Sequence, residues 1–188
     1  MDHYCIDFSG LSTAPLLPTP VRKGDCVILV FLPSLDFTVA FLACLMAGLV
    51  PVPVFPPDPR RLNKDLNMFT SIQASSGAKL ALTHAPYNHI KKASQIVSFF
   101  KGKERGREGG KEGWPEELTW VAIEGLGKTG GKEGGREGEE EEGATCFLQY
   151  TSGSTSEPKG VEISHGNLSH NLQIISEELE TNTDTIEV

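Results

Sequence analysis

Residues 26–55 decide the fold, because two short apolar runs flank a longer apolar segment. Residues 26–32 read Cys-Val-Ile-Leu-Val-Phe-Leu, and residues 50–55 read Val-Pro-Val-Pro-Val-Phe. Both runs are short and rich in β-branched residues, which is typical of strands. The segment between them is rich in Ala, Leu and Met, and its apolar residues recur every three or four positions, which indicates a helix. This part of the chain therefore predicts a strand over 27–32, a helix, and a strand over 50–55.

The boundaries of this helix also have sequence signals. Ser34 or Asp36 can cap its first turn. Gly48 is suited to end it, because glycine readily adopts the left-handed conformation that follows many helices. Residues 56–59, Pro-Pro-Asp-Pro, then stop the second strand.

A membrane span is the alternative for the same segment, since Asp36 is the only charged residue between Cys26 and Pro57. Prolines inside the segment oppose one continuous helix. A strand buried on both faces of a parallel sheet is expected to be apolar throughout. We therefore favour a β-α-β unit.

The rest of the chain continues the alternation. Apolar residues at helical spacing are followed by short β-branched or apolar runs as far as residue 150. The predicted elements are a helix over 62–73 closed by Ser75-Ser76-Gly77, a strand over 79–83, a helix over 87–100, a strand over 120–123 and a strand over 145–150. This order predicts an α/β fold of βαβ units with a largely parallel sheet and right-handed crossovers.

A last helix is predicted after Ser164, a suitable N-cap. Its apolar residues lie at helical spacing: Leu168, Leu172, Ile175 and Leu179. Met46 and Met68 lie on apolar helical faces and are predicted to fill the core. His165 invites a catalytic interpretation, but we favour a role in ordering the turn before the helix, because no serine or cysteine nucleophile motif accompanies it.

Two tracts of Gly, Lys, Arg and Glu interrupt the pattern at residues 101–113 and 127–143. They contain almost no apolar residue to bury, so they are predicted to be flexible surface insertions. A charged interaction segment is the alternative, although runs of charge are usually only solvated.

Length and charge narrow the function. A chain of 188 residues suits one domain or slightly more, and its formal net charge of −8 argues against a general nucleic-acid binder. The four cysteines lack metal-ligand spacing and indicate reduced thiols, hence a cytoplasmic location. Residues 1–20 lack the basic and apolar parts of a secretory signal and are predicted to be an irregular lead-in.

One loop carries the chemistry. Residues 148–161 read Leu-Gln-Tyr-Thr-Ser-Gly-Ser-Thr-Ser-Glu-Pro-Lys-Gly-Val. Short side chains leave backbone N–H groups open to a ligand, Gly153 permits close approach, and Lys159 adds a positive charge. Hydroxyls flank the glycine: Thr151, Ser152, Ser154 and Thr155. The loop therefore predicts a polyphosphate site, and a Ser/Thr-rich surface turn is the alternative.

The loop differs from two common phosphate motifs. Pro158 precedes the lysine where a Walker A loop has glycine, and the G-x-G-x-x-G pattern is absent. Residues 150–161 instead resemble the AMP-binding signature of the adenylate-forming (acyl-activating) superfamily. Ser156 stands where many members carry glycine, a form that looks like the fatty-acyl-AMP ligase branch. Residues 24–59 and 118–122 resemble earlier parts of the same enzymes.

The resemblance implies a reaction in which a carboxylic acid, expected to be a fatty acid, attacks the α-phosphate of ATP. Acyl adenylate and pyrophosphate form, and the acyl group then passes to the thiol of coenzyme A or of an acyl-carrier protein. ATP and Mg²⁺ are the implied cofactors, with no metal ligand assigned. The implied phosphate-binding residues are Thr151, Ser152, Gly153, Ser154, Thr155 and Lys159.

The chain also departs from the family. The motifs that contact adenine and ribose, the hinge and the catalytic lysine have no counterpart here, so no catalytic residue is assigned. The resemblance predicts an N-terminal fragment, inactive alone, with a lead-in over 1–21, a partial AMP-binding domain over 22–180 and a truncated end over 181–188. The alternative is a non-catalytic remnant that binds phosphate or protein.

Overall fold

Four parallel strands form the main sheet of the protein. A computed structural model describes residues 21–58, 62–92, 114–115, 117–125, 142–151 and 157–180. The main sheet has the order β2-β1-β3-β4, and β5 and β6 form a separate antiparallel pair. The strands are β1 (Cys26–Val30), β2 (Val50–Val54), β3 (Leu80–Thr83), β4 (Thr119–Ala122), β5 (Thr145–Thr151) and β6 (Lys159–Ser164). The helices are α1 (Leu35–Met46), α2 (Leu62–Ser76), α3 (residues 85–92) and α4 (His165–Glu178), and a 3-10 turn spans Ile123–Gly125.

The central strand β1 is covered by a helix on each face. Val27 and Leu29 belong to the apolar cluster that includes Cys44 of α1, whereas Ile28 and Val30 belong to the cluster that includes Phe69 of α2. The chain moves from β1 to β2 in one direction across the sheet and from β2 to β3 in the other. Right-handed crossovers in opposite directions place their helices on opposite faces, which confirms the predicted α/β architecture.

Local signals fix the limits of α1 as the sequence predicted. Ser34 is the N-cap, and its hydroxyl accepts a hydrogen bond of 3.3 Å from the backbone N–H of Phe37. Gly48 follows the helix with a φ of 67°, and its N–H donates to the carbonyl of Leu45 at 2.9 Å. A side chain at that φ would be strained, so the glycine is suited to turn the chain into β2.

Two prolines explain why the main sheet ends at β2. The N–H of Val50 donates to the carbonyl of Asp25 at 3.0 Å, so this residue faces β1. Backbone groups alternate in direction along a strand, which places Pro51 and Pro53 toward the outer edge. Proline has no N–H to donate there. Strand β5 lies against this edge but pairs with β6 instead, in a sheet of its own.

Strand β6 is absent from the predicted elements. Lys159–Ser164 pairs antiparallel with β5, so the hydroxyl-rich loop connects the two strands of a hairpin. The segment is mostly exposed and has no apolar run that would have indicated a strand. The N-cap prediction at Ser164 is confirmed, since its hydroxyl accepts from the N–H of Asn167 at 3.1 Å and the Asn167 side chain accepts from the N–H of Ser164.

The prediction that Met46 and Met68 fill the core is wrong. Met46 is 79% exposed and Met68 is 42% exposed. Helix α1 is apolar on nearly all sides, so residue spacing could not identify which side faces the sheet, and Ala43 and Cys44 occupy that side. Helix α4 has no buried residue, although its apolar residues recur at helical spacing.

Some predictions fall on residues that the structure does not describe: 1–20, 93–100, 101–113, 127–141 and 181–188. The flexibility of the two charged tracts and the domain limits at 22 and 180 stay predictions. Strand β4, between the tracts in sequence, pairs with β3. Within the described ranges, every helix is too short or too polar to cross a membrane. The observed β1-α1-β2 unit confirms the interpretation preferred over a membrane span.

Replacing Phe69 by Ala should destabilise the protein by about 3–5 kcal/mol, because the ring is 1% exposed and its loss leaves a cavity. The neighbouring substitution Met68→Ala on the same helix should cost less than about 1 kcal/mol, because that side chain is partly exposed. Urea unfolding followed by circular dichroism measures both free energies. Equal losses for the two variants would contradict the assignment of Phe69 to the core.

Candidate phosphate-binding hairpin

The β5–β6 hairpin brings the two ends of the hydroxyl-rich loop together. Thr151 is the last residue of β5 and pairs directly with Lys159, the first residue of β6. These are the two predicted site residues that the structure describes. The other four, Ser152, Gly153, Ser154 and Thr155, lie outside the described residues.

Thr151 and Lys159 project from the same face of the hairpin. Side chains directly opposite each other in an antiparallel pair lie on one face, with Cβ atoms about 4.5–5.5 Å apart. Both residues are exposed. Within the described part of the chain, the ammonium of Lys159 makes no ion pair or hydrogen bond. A hydroxyl and an ammonium thus stand together where the loop begins and ends, a pairing suited to an anion.

The opposite face of the hairpin is fixed to α2 by Tyr150. Its ring lies over Gly160, the residue paired with it, so closely that a Cβ on the glycine would be 2.9 Å from Cζ of the ring. Its hydroxyl forms a hydrogen bond of 3.0 Å with Oγ of Ser75. Leu148 and Tyr150 both pack against the cluster that contains Phe69.

The other side of β5 contacts α1. The ring of Phe147 meets that of Phe41 edge-on, with centroids 5.5 Å apart and planes at 71°. Strand β5 therefore packs against α2 on one face and against α1 on the other, and this packing fixes the position of the strand that ends at Thr151.

The junction after β6 is tied to the chain that enters β5. The N–H of His165 donates to the carbonyl of Ala144 at 3.0 Å, and the N–H of Gly166 donates to that of Glu142 at 2.9 Å. These bonds order the turn through the backbone, so the turn-ordering role of the His165 side chain stays a prediction.

The thiols of the core do not suit nucleophilic catalysis. Burial, helped by the nearby carboxylates of Asp25 and Glu162, raises the pKa of Cys26. Burial alone raises the pKa of Cys44 to about 12. Both cysteines therefore remain protonated at neutral pH, whereas the thiolate is the reactive form.

Lys91 of α3 has a perturbed pKa. Burial, and then the charge of Lys92, lower its pKa to about 8. Its Nζ sits 4.1 Å from the ring centroid of Trp120, a cation–π contact. Among the described residues, no three His, Cys, Asp or Glu side chains are placed to hold a metal ion.

A protein-family model matches the part of the chain that contains this hairpin. The model of the AMP-binding enzymes matches residues 14–186. The chain belongs to this family. The match confirms the resemblance drawn from the loop sequence and the adenylate-forming class of the fold.

Curated relatives and solved structures agree with this membership. The chain is 30% identical over 183 residues to the medium-chain-fatty-acid–[acyl-carrier-protein] ligase JamA of Moorena producens, a match that covers 96% of this chain and 28% of JamA. It superposes on a fatty acid AMP ligase from Legionella pneumophila with a TM-score of 0.65 and 32% identity, covering 88% of this chain and 25% of that one.

A fatty acyl-adenylate ligase from the same organism, solved in complex with acyl adenylate and pyrophosphate, gives a TM-score of 0.61 at 30% identity. That match also covers 88% of this chain and 25% of the solved one. The chain thus spans about a quarter of the length of these AMP-binding relatives.

Tyr150 and Gly160 are structural parts of the site to which sequence reasoning assigned no role. Tyr150 follows Cys146 and Leu148 at intervals of two, and that alternation is the signal that could have indicated a buried face of the strand. No pattern in the sequence indicated the role of Gly160, because that role depends on its pairing with Tyr150 across the hairpin, and the pairing of β5 with β6 was not predicted.

Gly160→Ala should destabilise this AMP-binding chain by about 1–3 kcal/mol, because the new methyl group would overlap the Tyr150 ring. Gly143→Ala is the matched control, since a Cβ there meets nothing within 4 Å. Its expected change is within about 0.5 kcal/mol. The midpoint and slope of urea unfolding give both values. If Gly160→Ala were as mild as the control, the close packing of ring and glycine would be disproved.

Proposed function

We propose that residues 151–159 bind the phosphates of ATP in an acyl-activating ligase. The observation that carries the proposal is the pairing of Thr151 with Lys159 at the two ends of the hydroxyl-rich loop. The loop residues between them, Ser152, Gly153, Ser154 and Thr155, are proposed to complete the site with hydroxyl and backbone donors. The L. pneumophila relative solved with acyl adenylate and pyrophosphate supports this ligand chemistry.

The proposed reaction is acyl adenylation. A carboxylate oxygen of the acid attacks the α-phosphorus of ATP, and the bond between that phosphorus and the bridging oxygen of the β-phosphate breaks. Negative charge then develops on the departing pyrophosphate. The ammonium of Lys159 and the loop donors stabilise that charge if they hold the β- and γ-phosphates. The loop therefore assists by orienting and neutralising the leaving group.

Mg²⁺ is the cofactor expected with ATP, and in nucleotide sites it is usually held by one or two carboxylates together with phosphates. The described residues offer no cluster of three metal-binding side chains. We propose no ligand for the metal, and the proposed contacts to the phosphates come from hydroxyls, backbone amides and Lys159.

The proposed acid is a fatty acid, and the proposed acceptor is a thiol. JamA is named for medium-chain fatty acids and an acyl-carrier protein, which supports a carrier-protein thiol, with coenzyme A as the second acceptor. These substrates belong to the proposed ligase as a whole. For the 188 residues alone, we propose phosphate binding without catalysis. The reason is that no residue of this sequence is identified as binding adenine or ribose or as the catalytic lysine.

Lys159→Ala should weaken pyrophosphate binding to the chain by about tenfold, which corresponds to about 1.4 kcal/mol. The reason is the loss of the one cation that the hairpin places beside Thr151. Isothermal titration with inorganic pyrophosphate measures the affinity. Lys79→Ala removes the same charge from an exposed residue just before β3 and should leave the affinity unchanged. Equal affinities for wild type and Lys159→Ala would contradict the role of this lysine.

The 188-residue chain should show no acid-dependent exchange between ATP and labelled pyrophosphate. Exchange requires a complete adenylation site, and the groups for adenine, ribose and acyl transfer are not assigned here. The assay uses a panel of fatty acids of different lengths, with a complete fatty-acyl-AMP ligase as the positive control. Robust exchange by this chain would overturn the proposal that it does not catalyse adenylation alone.

A further inference from the structure

We propose that Tyr150 is a positioning residue for phosphate binding and that it acts through Ser75 of α2. This inference depends on the proposed function of the loop. The described contacts of the Tyr150 side chain are with Gly160, with Ser75 and with the cluster that contains Phe69. Its role is to hold the base of the loop, so that Thr151 and Lys159 keep their relative placement.

The geometry separates the anchor from the binding face. Successive residues of a strand project to opposite faces, so Tyr150 and Thr151 point in opposite directions. The same alternation separates Gly160 from Lys159 on the partner strand. The anchor can therefore grip α2 on one face while the threonine and lysine remain open on the other.

The hydrogen bond between Tyr150 and Ser75 joins parts of the chain that are distant in sequence, and Tyr150 is the residue directly before the loop. The two hydroxyl oxygens are 3.0 Å apart, and 75 positions separate the residues. Ser75 lies in the last turn of α2, a helix that is packed on the main sheet through Phe69 and Ile72. The hydrogen bond thus connects the end of β5 to a fixed element of the core.

Strand β6 is held mainly by its pairing with β5, and it also approaches α2 and α4. Residues 159–162 are exposed, and in the described ranges β6 pairs with β5 alone. A two-stranded ribbon is only marginally stable by itself. The Tyr150 ring, pressed between Gly160 and the α2 cluster, joins both strands to the core one residue before the loop. Loosening it would let the Thr151–Lys159 pair separate.

The test compares Tyr150→Phe, Ser75→Ala and the double variant in the full 188-residue chain. Each single change removes one hydroxyl of the bond and keeps the packing. Ser76→Ala is the matched control, because among the described residues its hydroxyl bonds to the carbonyl of Gln73 and the N–H of Ala78, both close to it in sequence. This control should lower stability without touching the hairpin.

Two readouts are expected to move together. Pyrophosphate affinity should fall about threefold to tenfold in each single variant, as expected for one hydrogen bond, and the double variant should be no weaker than the singles. Hydrogen exchange of peptides covering residues 157–161, measured without ligand, should accelerate in the same variants. The Ser76→Ala control should change neither readout, and a general loss of stability could not produce this pattern.

The outcomes distinguish the two proposals. If Lys159→Ala weakens binding while Tyr150→Phe and Ser75→Ala bind as wild type, the phosphate site stands and the positioning role is wrong. Unchanged hydrogen exchange in both variants would also overturn the positioning role. If the wild-type chain binds no pyrophosphate, the proposed function of the loop fails and the positioning role falls with it.

Discussion

The burial of β1 on both faces is the constraint on which the rest of the structure depends. Its residues 27–30 are almost completely removed from solvent, which requires a helix above and a helix below the sheet. A parallel strand can be covered in this way because each crossover contains a helix. The reversal of direction between the first two crossovers supplies one helix to each side. The alternation of residues along β1 then assigns every side chain to one of two separate cores.

The edge of this sheet determines where the candidate site can form. Pro51 and Pro53 leave β2 without outward N–H groups, so the sheet cannot extend regularly beyond it. The next strand in space, β5, lies against that edge and takes its hydrogen bonds from β6. The result is a hairpin whose base is packed on both helices through Tyr150 and Phe147. The proposed anion site benefits from this arrangement, because Thr151 and Lys159 are exposed while the strand that carries Thr151 is held by the core.

The sequence was sufficient where a local signal and the global fold agree. The β1-α1-β2 unit followed from short β-branched runs around a longer helical segment. The cap at Ser164 followed from the chemistry of one side chain, and the cap of α1 is Ser34, one of the two residues that the sequence offered. The loop pointed to the family through its resemblance to the AMP-binding signature, which the family model confirms, while its role in binding phosphate stays a prediction. In each case, residues close in sequence carry the whole argument.

Strand pairing and the direction of helical faces could not be obtained in the same way. Strand β6 is polar and exposed, and it forms a strand because it pairs with β5. The composition of the segment does not predict this pairing. Met46 was misplaced because α1 is apolar on most of its circumference and the sheet alone selects the buried side. The contact between Tyr150 and Ser75 depends on how the hairpin packs on α2, so it could not be predicted from either residue alone.

One consequence concerns how this protein can be observed. Its two tryptophans, Trp114 and Trp120, lie together with ring centroids 5.2 Å apart, and both pack against Phe69 on the α2 side of the sheet. Tryptophan fluorescence therefore reports on this hydrophobic layer, and it does not report directly on the layer around Cys44 on the other side of the sheet. Disagreement between this emission and a backbone signal would reveal that the two layers open separately.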